Sequence, residues 1–321
     1  MEAIDFARLR QQERQKARQR RRLQQKQADD DNSNSQQQDQ ATSNVDTESC
    51  TPWPPWNGPP LTAQDVQTLN PSQHVLSRQP PSVYYIPNFL SSSDDDLETA
   101  LVTWLQALPE VPPQQSTNNN TNNATADTAY RQALGKWTTL RYAARRVALF
   151  DARLQALPAP LLTLVQLLQH HVWERVPTSP NATRGPINHI LINEYTEMQG
   201  ILGHTDGPAY EPCTLTLSLA SQAVLHFEPI LSTGNNNDGG GNDDNYSQQP
   251  TPCCERQVWL QANSLVIFTQ DLYQHYRHAI RDKQPTEHLT ETAWNGTVGQ
   301  AVQRGPLRYS LTFRCKRGQD E

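Results

Sequence analysis

Apolar and polar positions alternate with a period of two along much of the chain, which predicts a series of short strands. The clearest case is 214–219, Thr-Leu-Thr-Leu-Ser-Leu, where the alternation predicts a half-buried strand. Between residues 157 and 173 leucines recur at helical spacing instead and predict a packing helix. Runs rich in β-branched and aromatic residues predict further strands at 80–89, 187–195, 224–227, 257–260, 264–268, 276–280 and 307–314.

The order of these elements predicts the fold class. A helix is expected from an acidic first turn at 94–97 to about residue 108, because negative charge there complements the helix dipole. The strands follow it, separated by turns and by a long polar connection near the end of the chain. A helical region followed by many short strands predicts a mainly β fold with flanking helices (α+β), arranged as a β-sandwich or jelly roll.

Composition indicates that part of the chain is not packed. Hydrophobic residues make up 35% of the 321 and the mean hydropathy is −0.76, both low for a uniformly folded chain. Residues 1–76 are predicted to be a disordered basic arm and polar linker. Residues 77–321 are predicted to be the folded domain, with disordered inserts at about 110–128 and 232–252.

Cysteine spacing and hydropathy exclude several classes of protein. Five irregularly spaced cysteines indicate neither a disulfide framework nor a zinc site. The sequence has neither a span apolar enough to cross a bilayer nor an apolar secretory signal, so a soluble intracellular protein with no membrane partner is expected. A monomer is also expected.

The first 27 residues concentrate positive charge, although the whole chain has a net charge of −6. Such an arm is typical of a nuclear-import signal or of a non-specific phosphate-binding tail, and the alternative is a solvated segment with no specific partner. A location in the nucleus, the cytoplasm or both is therefore expected. The basic residues of the arm are Arg8, Arg10, Arg14, Lys16, Arg18, Arg20, Arg21, Arg22 and Lys26.

The pair His204-x-Asp206 is the first sign of metal chemistry. In an extended segment, residues two apart point to the same side, so this imidazole and this carboxylate would face one small space. They would form two thirds of the two-histidine, one-carboxylate site that holds Fe(II) and leaves positions open for other ligands. The third ligand must come from another part of the chain.

Four later histidines are candidates for that third ligand. His278 is preferred because it lies within a predicted strand that follows a strongly apolar one. His275 would point to the opposite side of the chain from His278. His226 is interpreted as an ordinary half-buried histidine, and His288 is predicted to lie in a polar loop.

The last predicted strand carries paired arginines. Alternation places Arg308, Ser310, Thr312 and Arg314 on one face, while the residues between them take the other. Two arginines on an interior face need an anion, and a dicarboxylate would satisfy both. The alternative is a solvent-facing edge strand with ordinary surface arginines.

The residues that follow, taken in this order, resemble the AlkB branch of the iron(II)- and 2-oxoglutarate-dependent dioxygenases: the motif Asn193-x-Tyr195, the pair His204-x-Asp206, His278, and Arg308-x-Ser310-x-Thr312-x-Arg314. The resemblance covers about residues 80–316 and implies a double-stranded β-helix. The AlkB family commonly has asparagine where Ser310 stands, and a serine hydroxyl still donates or accepts a hydrogen bond. The resemblance implies that His204, Asp206 and His278 bind Fe(II), and that Asn193, Tyr195, Arg308, Ser310 and Arg314 surround 2-oxoglutarate.

The same resemblance implies an activity. The enzyme would use O2 and 2-oxoglutarate to oxidise an alkyl group, most simply an N-methyl on a DNA or RNA base that leaves as formaldehyde. A basic patch near residues 137–146 resembles the substrate-facing lid of the AlkB family, and Trp137, Arg141 and Tyr210 are the predicted substrate contacts. The alternatives are a protein substrate, a non-catalytic nucleic-acid-binding module on the same fold, or a cupin-like metalloenzyme that does not use 2-oxoglutarate.

Overall fold

A computed structural model gives the fold of most of the predicted domain. The residues it describes are 53–77, 82–90, 96–111, 126–140, 145–178, 184–230 and 255–318. The predicted basic arm, the predicted insert at about 232–252, most of the predicted insert at about 110–128 and the candidate Arg141 lie outside these ranges.

The described residues form fourteen strands, five α-helices and two short 3-10 helices at Ala63–Asp65 and Trp173–Arg175. The α-helices are α1 (Pro71–His74), α2 (Asp96–Gln106), α3 (Ala126–Ala133), α4 (Ala159–His171) and α5 (Gln270–His275). The first seven strands are β1 (Val75–Ser77), β2 (Val83–Ile86), β3 (Trp137–Thr139), β4 (Arg146–Asp151), β5 (His189–Thr196), β6 (Ile201–His204) and β7 (Cys213–Leu219). The others are β8 (Ala223–Pro229), β9 (Arg256–Leu260), β10 (Ser264–Thr269), β11 (Tyr276–Ile280), β12 (Thr286–His288), β13 (Ala301–Gln303) and β14 (Leu307–Arg314).

Two antiparallel sheets pack face to face. The larger has the strand order β1-β2-β10-β7-β14-β5-β4-β3 and the smaller β6-β11-β8-β9. The last strand, β14, pairs with β5 and β7 in the middle of the larger sheet, so distant parts of the chain become neighbours. Apolar side chains from both sheets, such as Phe227 and Phe268, form the core between them. The predicted jelly roll with flanking helices is confirmed.

Helices cover the outer face of the larger sheet. Leu101 in α2 and Leu164 in α4 pack in one buried cluster with Leu217 and Tyr309 from the sheet. The apolar positions of the central strands therefore face the helices, and their polar positions face the smaller sheet. Strand β7 differs from its predicted half-burial, because its polar Thr214 and Ser218 are as buried as its leucines.

The prediction that residues 1–76 are a disordered arm and linker is wrong for the last third of this segment. Val66 and Leu69 are buried in the helix-side core, and β1 pairs with β2. The indole of Trp104 donates a hydrogen bond to the Pro54 carbonyl, which fixes the chain ahead of them against α2. The folded domain therefore includes residues 53–76, ahead of the predicted boundary at residue 77, because apolar residues separated by polar ones can still join a distant core.

The long polar connection before the last strand is also structured. It contains a two-stranded sheet of β12 and β13. Val302 of β13 packs with Leu289, which follows β12, and with Val224 of β8 in the smaller four-stranded sheet. Among the helices that the structure describes, none is long and apolar enough to span a membrane.

Candidate metal and co-substrate site

His204, Asp206 and His278 converge between the two sheets. Strands β6 and β11 are antiparallel neighbours, and their register places His204 directly opposite His278 with ring centroids 4.3 Å apart. Asp206 follows β6, and its Oδ1 lies 3.9 Å from Nε2 of His278. One potential ligand atom from each residue lies within 4.8 Å of the other two, so a single metal ion could contact all three.

The hydrogen bonds of these side chains favour the protonation states that a metal needs. Nδ1 of His204 lies 2.8 Å from the Leu202 carbonyl, which can only accept, so Nδ1 carries the proton and Nε2 keeps its lone pair. Burial lowers the pKa of His278 to about 4; the negative charge of Asp206 opposes this shift, and the positive charge of Arg314 adds to it. His278 is therefore a neutral imidazole at pH 7.

Asp206 is ionised although it is buried. Burial alone raises its pKa, but the positive charge of Arg314 and a hydrogen bond from Thr214 outweigh burial and lower the pKa below its usual value. Nη1 of Arg314 donates to Oδ1 of Asp206 at 2.8 Å, and Oγ1 of Thr214 donates to Oδ2 at 2.7 Å. Two imidazoles and one carboxylate are a donor set suited to a divalent metal such as Fe(II).

A cavity of about 60 Å³ extends from these three residues between the sheets, which is room for several non-hydrogen atoms. Asn193, Tyr195, Arg308, Ser310 and Arg314, predicted to surround 2-oxoglutarate, all line it. Arg308 and Arg314 of β14 are both buried, so they lie on an interior face as predicted, and the alternative of a solvent-facing edge strand is wrong. The apolar part of the wall consists of Leu191, Ile201, Leu225, Leu260, Phe268 and Ile280.

Arg308 has the properties of an anion-binding group. Its Nη2 donates to Oγ of Ser218 at 2.7 Å, but its buried Nε and Nη1 have no hydrogen-bond partner among the residues that the structure describes. Burial lowers the pKa of Arg308 to about 10, partly offset by Tyr195, and the nearby charge of Arg304 lowers it further. It is therefore still a cation at pH 7, and its unpaired N–H groups make it a candidate to bind an anion in the cavity.

A sequence model of the family described as the 2OG-Fe(II) oxygenase superfamily matches residues 82–314. The chain belongs to this superfamily. The enzymes of this family use Fe(II), 2-oxoglutarate and O2, and the cluster of His204, Asp206 and His278 could hold such a metal ion in this oxygenase.

A relative from Danio rerio, "Probable RNA/DNA demethylase ALKBH6", is 27% identical over 249 residues, which are 75% of this chain and 88% of the relative. The motifs Tyr84-Tyr-Ile-Pro-Asn-Phe and His204-Thr-Asp-Gly-Pro predict a likeness to AlkB homologue six, and this prediction is confirmed.

Two solved structures are similar at low identity. OsALKBH1 is 14% identical with a TM-score of 0.42, covering 73% of this chain and 98% of its own. A 2OG-Fe(II) oxygenase family oxidoreductase from Burkholderia pseudomallei is 13% identical with a TM-score of 0.42, and the match covers 79% of this chain and 94% of the oxidoreductase. The fold of this oxygenase is assigned from its own strand order and not from these values.

The predicted substrate contacts lie in different surroundings. Trp137 is 1% exposed, donates its indole N–H to the Leu105 carbonyl and packs against Tyr309, so the prediction that it contacts substrate is wrong. A tryptophan among arginines marks an exposed patch only when its strand faces solvent, and β3 instead packs beneath α2. Tyr210 is partly exposed and stacks on the Arg314 guanidinium at 4.1 Å, which places it beside the metal cluster.

Two other histidines differ from their predictions. His226 is fully buried and lies between Glu255 at 2.6 Å and Glu287 at 2.7 Å, away from the three-residue cluster. His288, predicted in an unstructured loop, lies at the end of β12 with its side chain exposed.

The sequence reasoning missed the groups that support the site. Thr214 bonds Asp206 and Ser218 bonds Arg308, and both come from the polar face of β7. The strict alternation of that strand was the available signal, since a polar face in the middle of a sheet must face either water or a polar cavity.

Proposed function

We propose that this oxygenase removes alkyl groups from nucleic-acid bases, with Fe(II) held by His204, Asp206 and His278 and 2-oxoglutarate held by the arginine side of the cavity. The observation that carries the proposal is that Arg308, buried with two unpaired donors, lines the same cavity as the metal cluster. A dicarboxylic 2-oxo acid that reaches both groups would pair that buried charge.

Each side chain has a role in this proposal. Arg308 binds the remote carboxylate of 2-oxoglutarate, with Ser218 holding its third nitrogen in place. Tyr195, which hydrogen-bonds Ser310, and Asn193 line the same part of the cavity. Arg314 is occupied by Asp206 and therefore orients a metal ligand, while the apolar wall excludes water from the reacting groups.

Bound Fe(II) would couple the decarboxylation of 2-oxoglutarate to succinate and CO2 with insertion of the second oxygen atom of O2 into a C–H bond. When that carbon is an N-methyl group, the product is an N-hydroxymethyl base. Its C–N bond breaks to give the unmodified base, which gains the hydroxyl proton, and formaldehyde. The chemistry therefore needs no separate leaving-group catalyst.

A nucleic-acid substrate is supported by the relative whose name describes an RNA/DNA demethylase. Tyr210, partly exposed beside Asp206, offers an aromatic face against which an unstacked base could pack.

The test is incubation of the purified protein with Fe(II), 2-oxoglutarate, ascorbate and single-stranded DNA or RNA oligonucleotides that carry N-methylated bases. We expect loss of methylated nucleoside and a matching release of formaldehyde and succinate, measured by mass spectrometry, and none of these with Asp206→Ala. Succinate formed with methylated peptides but never with oligonucleotides would replace the proposal by a protein substrate. Absence of 2-oxoglutarate binding would indicate a non-catalytic module.

A further inference from the structure

Arg145 lies next to the co-substrate side of the cavity. It immediately precedes β4, whose register pairs Arg146 with Glu194 and Val147 with Asn193 in β5. Side chains alternate along this edge, so the two consecutive arginines take opposite sides. Arg146 bonds Glu194 and lies over the Trp137 ring on the helix side, whereas Arg145 contacts Asn193 and Tyr195.

The contacts of Arg145 join three parts of the site. Its Nε donates to Oδ1 of Asn193 at 3.2 Å, and its Nη1 lies 3.5 Å from the carbonyl of Gly200, in the turn that leads into β6 and His204. The guanidinium carbon lies 5.8 Å from the centre of the Tyr195 ring, within the range of a cation–π contact. One side chain therefore contacts both residues of the Asn193-x-Tyr195 motif.

The charge of Arg145 is not needed for an ion pair. Arg146 and Arg153 each bind a carboxylate, at 2.6 Å and 2.7 Å. Within the described parts of the chain, Arg145 instead binds the amide oxygen of Asn193 and one backbone carbonyl, which are neutral acceptors. Arg145 therefore acts on the Asn193 amide and the Gly200 carbonyl that it contacts.

A guanidinium can only donate, so its bond to Asn193 determines which end of that amide faces it. The oxygen of Asn193 faces Arg145, and the Nδ2 amide nitrogen is left for the cavity that Asn193 lines. Without Arg145 the amide would be free to turn over and present an acceptor to an anionic ligand, which is repulsive.

We propose that Arg145 is a positioning residue for 2-oxoglutarate: it fixes the Asn193 amide so that its nitrogen donates into the cavity, and it braces the Tyr195 ring. The inference rests on the proposed function, because it takes 2-oxoglutarate as the ligand of this cavity. Arg145 lies within the basic patch near residues 137–146 that is predicted to contact the substrate, but in this proposal it acts on 2-oxoglutarate binding instead.

The experiment is calorimetric titration of 2-oxoglutarate into the full-length protein loaded with Mn(II), which avoids any dependence on turnover. We expect Arg145→Gln to weaken 2-oxoglutarate binding about tenfold, because the Asn193 amide would no longer be held to donate to a charged carboxylate, and one such hydrogen bond is worth about that much. Arg145→Lys, which keeps a donor and the charge, should recover binding to within about threefold of the wild type. Mn(II) affinity and the unfolding temperature of the metal-free protein should not change.

The matched control is Arg175→Gln, which removes an equal charge from an exposed arginine that bonds the His170 carbonyl. It should leave 2-oxoglutarate binding unchanged, so a general electrostatic effect would be revealed if both variants lost affinity equally.

A double-mutant cycle decides whether Arg145 acts through Asn193. In an Asn193→Ala background, Arg145→Gln should cause little further loss, because the amide it orients is gone. Full additivity of the two losses, or an Arg145→Gln protein that binds 2-oxoglutarate like the wild type, would overturn the inference while leaving the proposed function intact. Failure of the wild-type protein to bind 2-oxoglutarate would instead overturn the proposed function.

Discussion

At the scale of single residues, the two arginines of β14 have different roles although they share a motif and a face. Arg314 bonds Asp206 at 2.8 Å and stacks on Tyr210, so both its charge and its plane are occupied. Arg308 is buried with two donors unpaired. The sequence leaves open which arginine takes the remote carboxylate of 2-oxoglutarate, and these partners favour Arg308.

The division of roles predicts opposite phenotypes. Arg308→Gln should weaken 2-oxoglutarate binding about 100-fold, since two charge-assisted bonds are lost, with Mn(II) affinity unchanged. Arg314→Gln should weaken Mn(II) binding about tenfold, because Asp206 loses the partner that orients it and holds its pKa down. Titration calorimetry with each ligand measures both effects, and a loss of Mn(II) affinity in Arg308→Gln would contradict the division.

At the scale of elements, the metal cluster depends on how β6 lies against β11. Antiparallel pairing places His204 across from His278, and a register irregularity follows between His278 and Ile280. The turn before β6 lies tightly against the residues after β11. A side-chain carbon added to Gly200 would lie 2.2 Å from the Ile280 carbonyl oxygen and 2.7 Å from the backbone of Asp282.

Gly200→Ala should therefore push β6 away from β11. We expect the free energy of unfolding to fall by about 2 kcal/mol or more, as overpacking against rigid backbone usually requires, together with weaker Mn(II) binding as the two histidines separate. Urea denaturation and metal titration measure the two effects. The control is Gly318→Ala, where the added carbon meets nothing within 4 Å; equal losses in the two variants would argue against the proposed contact.

At the scale of the whole molecule, residues 51–321 form one compact unit. Its helix-side core includes Val66 and Leu69, and Trp53 packs against Phe150 at 6.4 Å between ring centroids. Trp53, Val66 and Leu69 belong to the segment predicted as linker, so the folded unit is larger than the predicted domain.

A protein that begins at residue 77 should consequently be unstable, whereas one that begins at residue 51 should unfold like the full chain. Removal of several buried apolar side chains at about 2–5 kcal/mol each would exhaust most of the stability of an ordinary domain. Thermal unfolding of the two truncated proteins beside the full chain tests this. Equal unfolding temperatures for all three would restore the predicted boundary.

The sequence alone determined much of this oxygenase. Alternation of apolar and polar residues is a local property of strands, so it located most of the strands, the shared face of Arg308 and Arg314, and the His204-x-Asp206 pair. The ordered motifs resemble the AlkB family, and the family model that matches residues 82–314 shows the superfamily. The residues expected around one site do line one cavity.

Only the tertiary structure decided which residues are buried and which partners their side chains have. The polar face of β7 lines a cavity instead of facing water, Trp137 lies beneath a helix, and Val66 and Leu69 join the helix-side core, because burial depends on which distant element covers a surface. Likewise, two adjacent arginines look alike in sequence, but the strand pairing of β4 with β5 gives Arg146 a carboxylate and Arg145 the amide of Asn193.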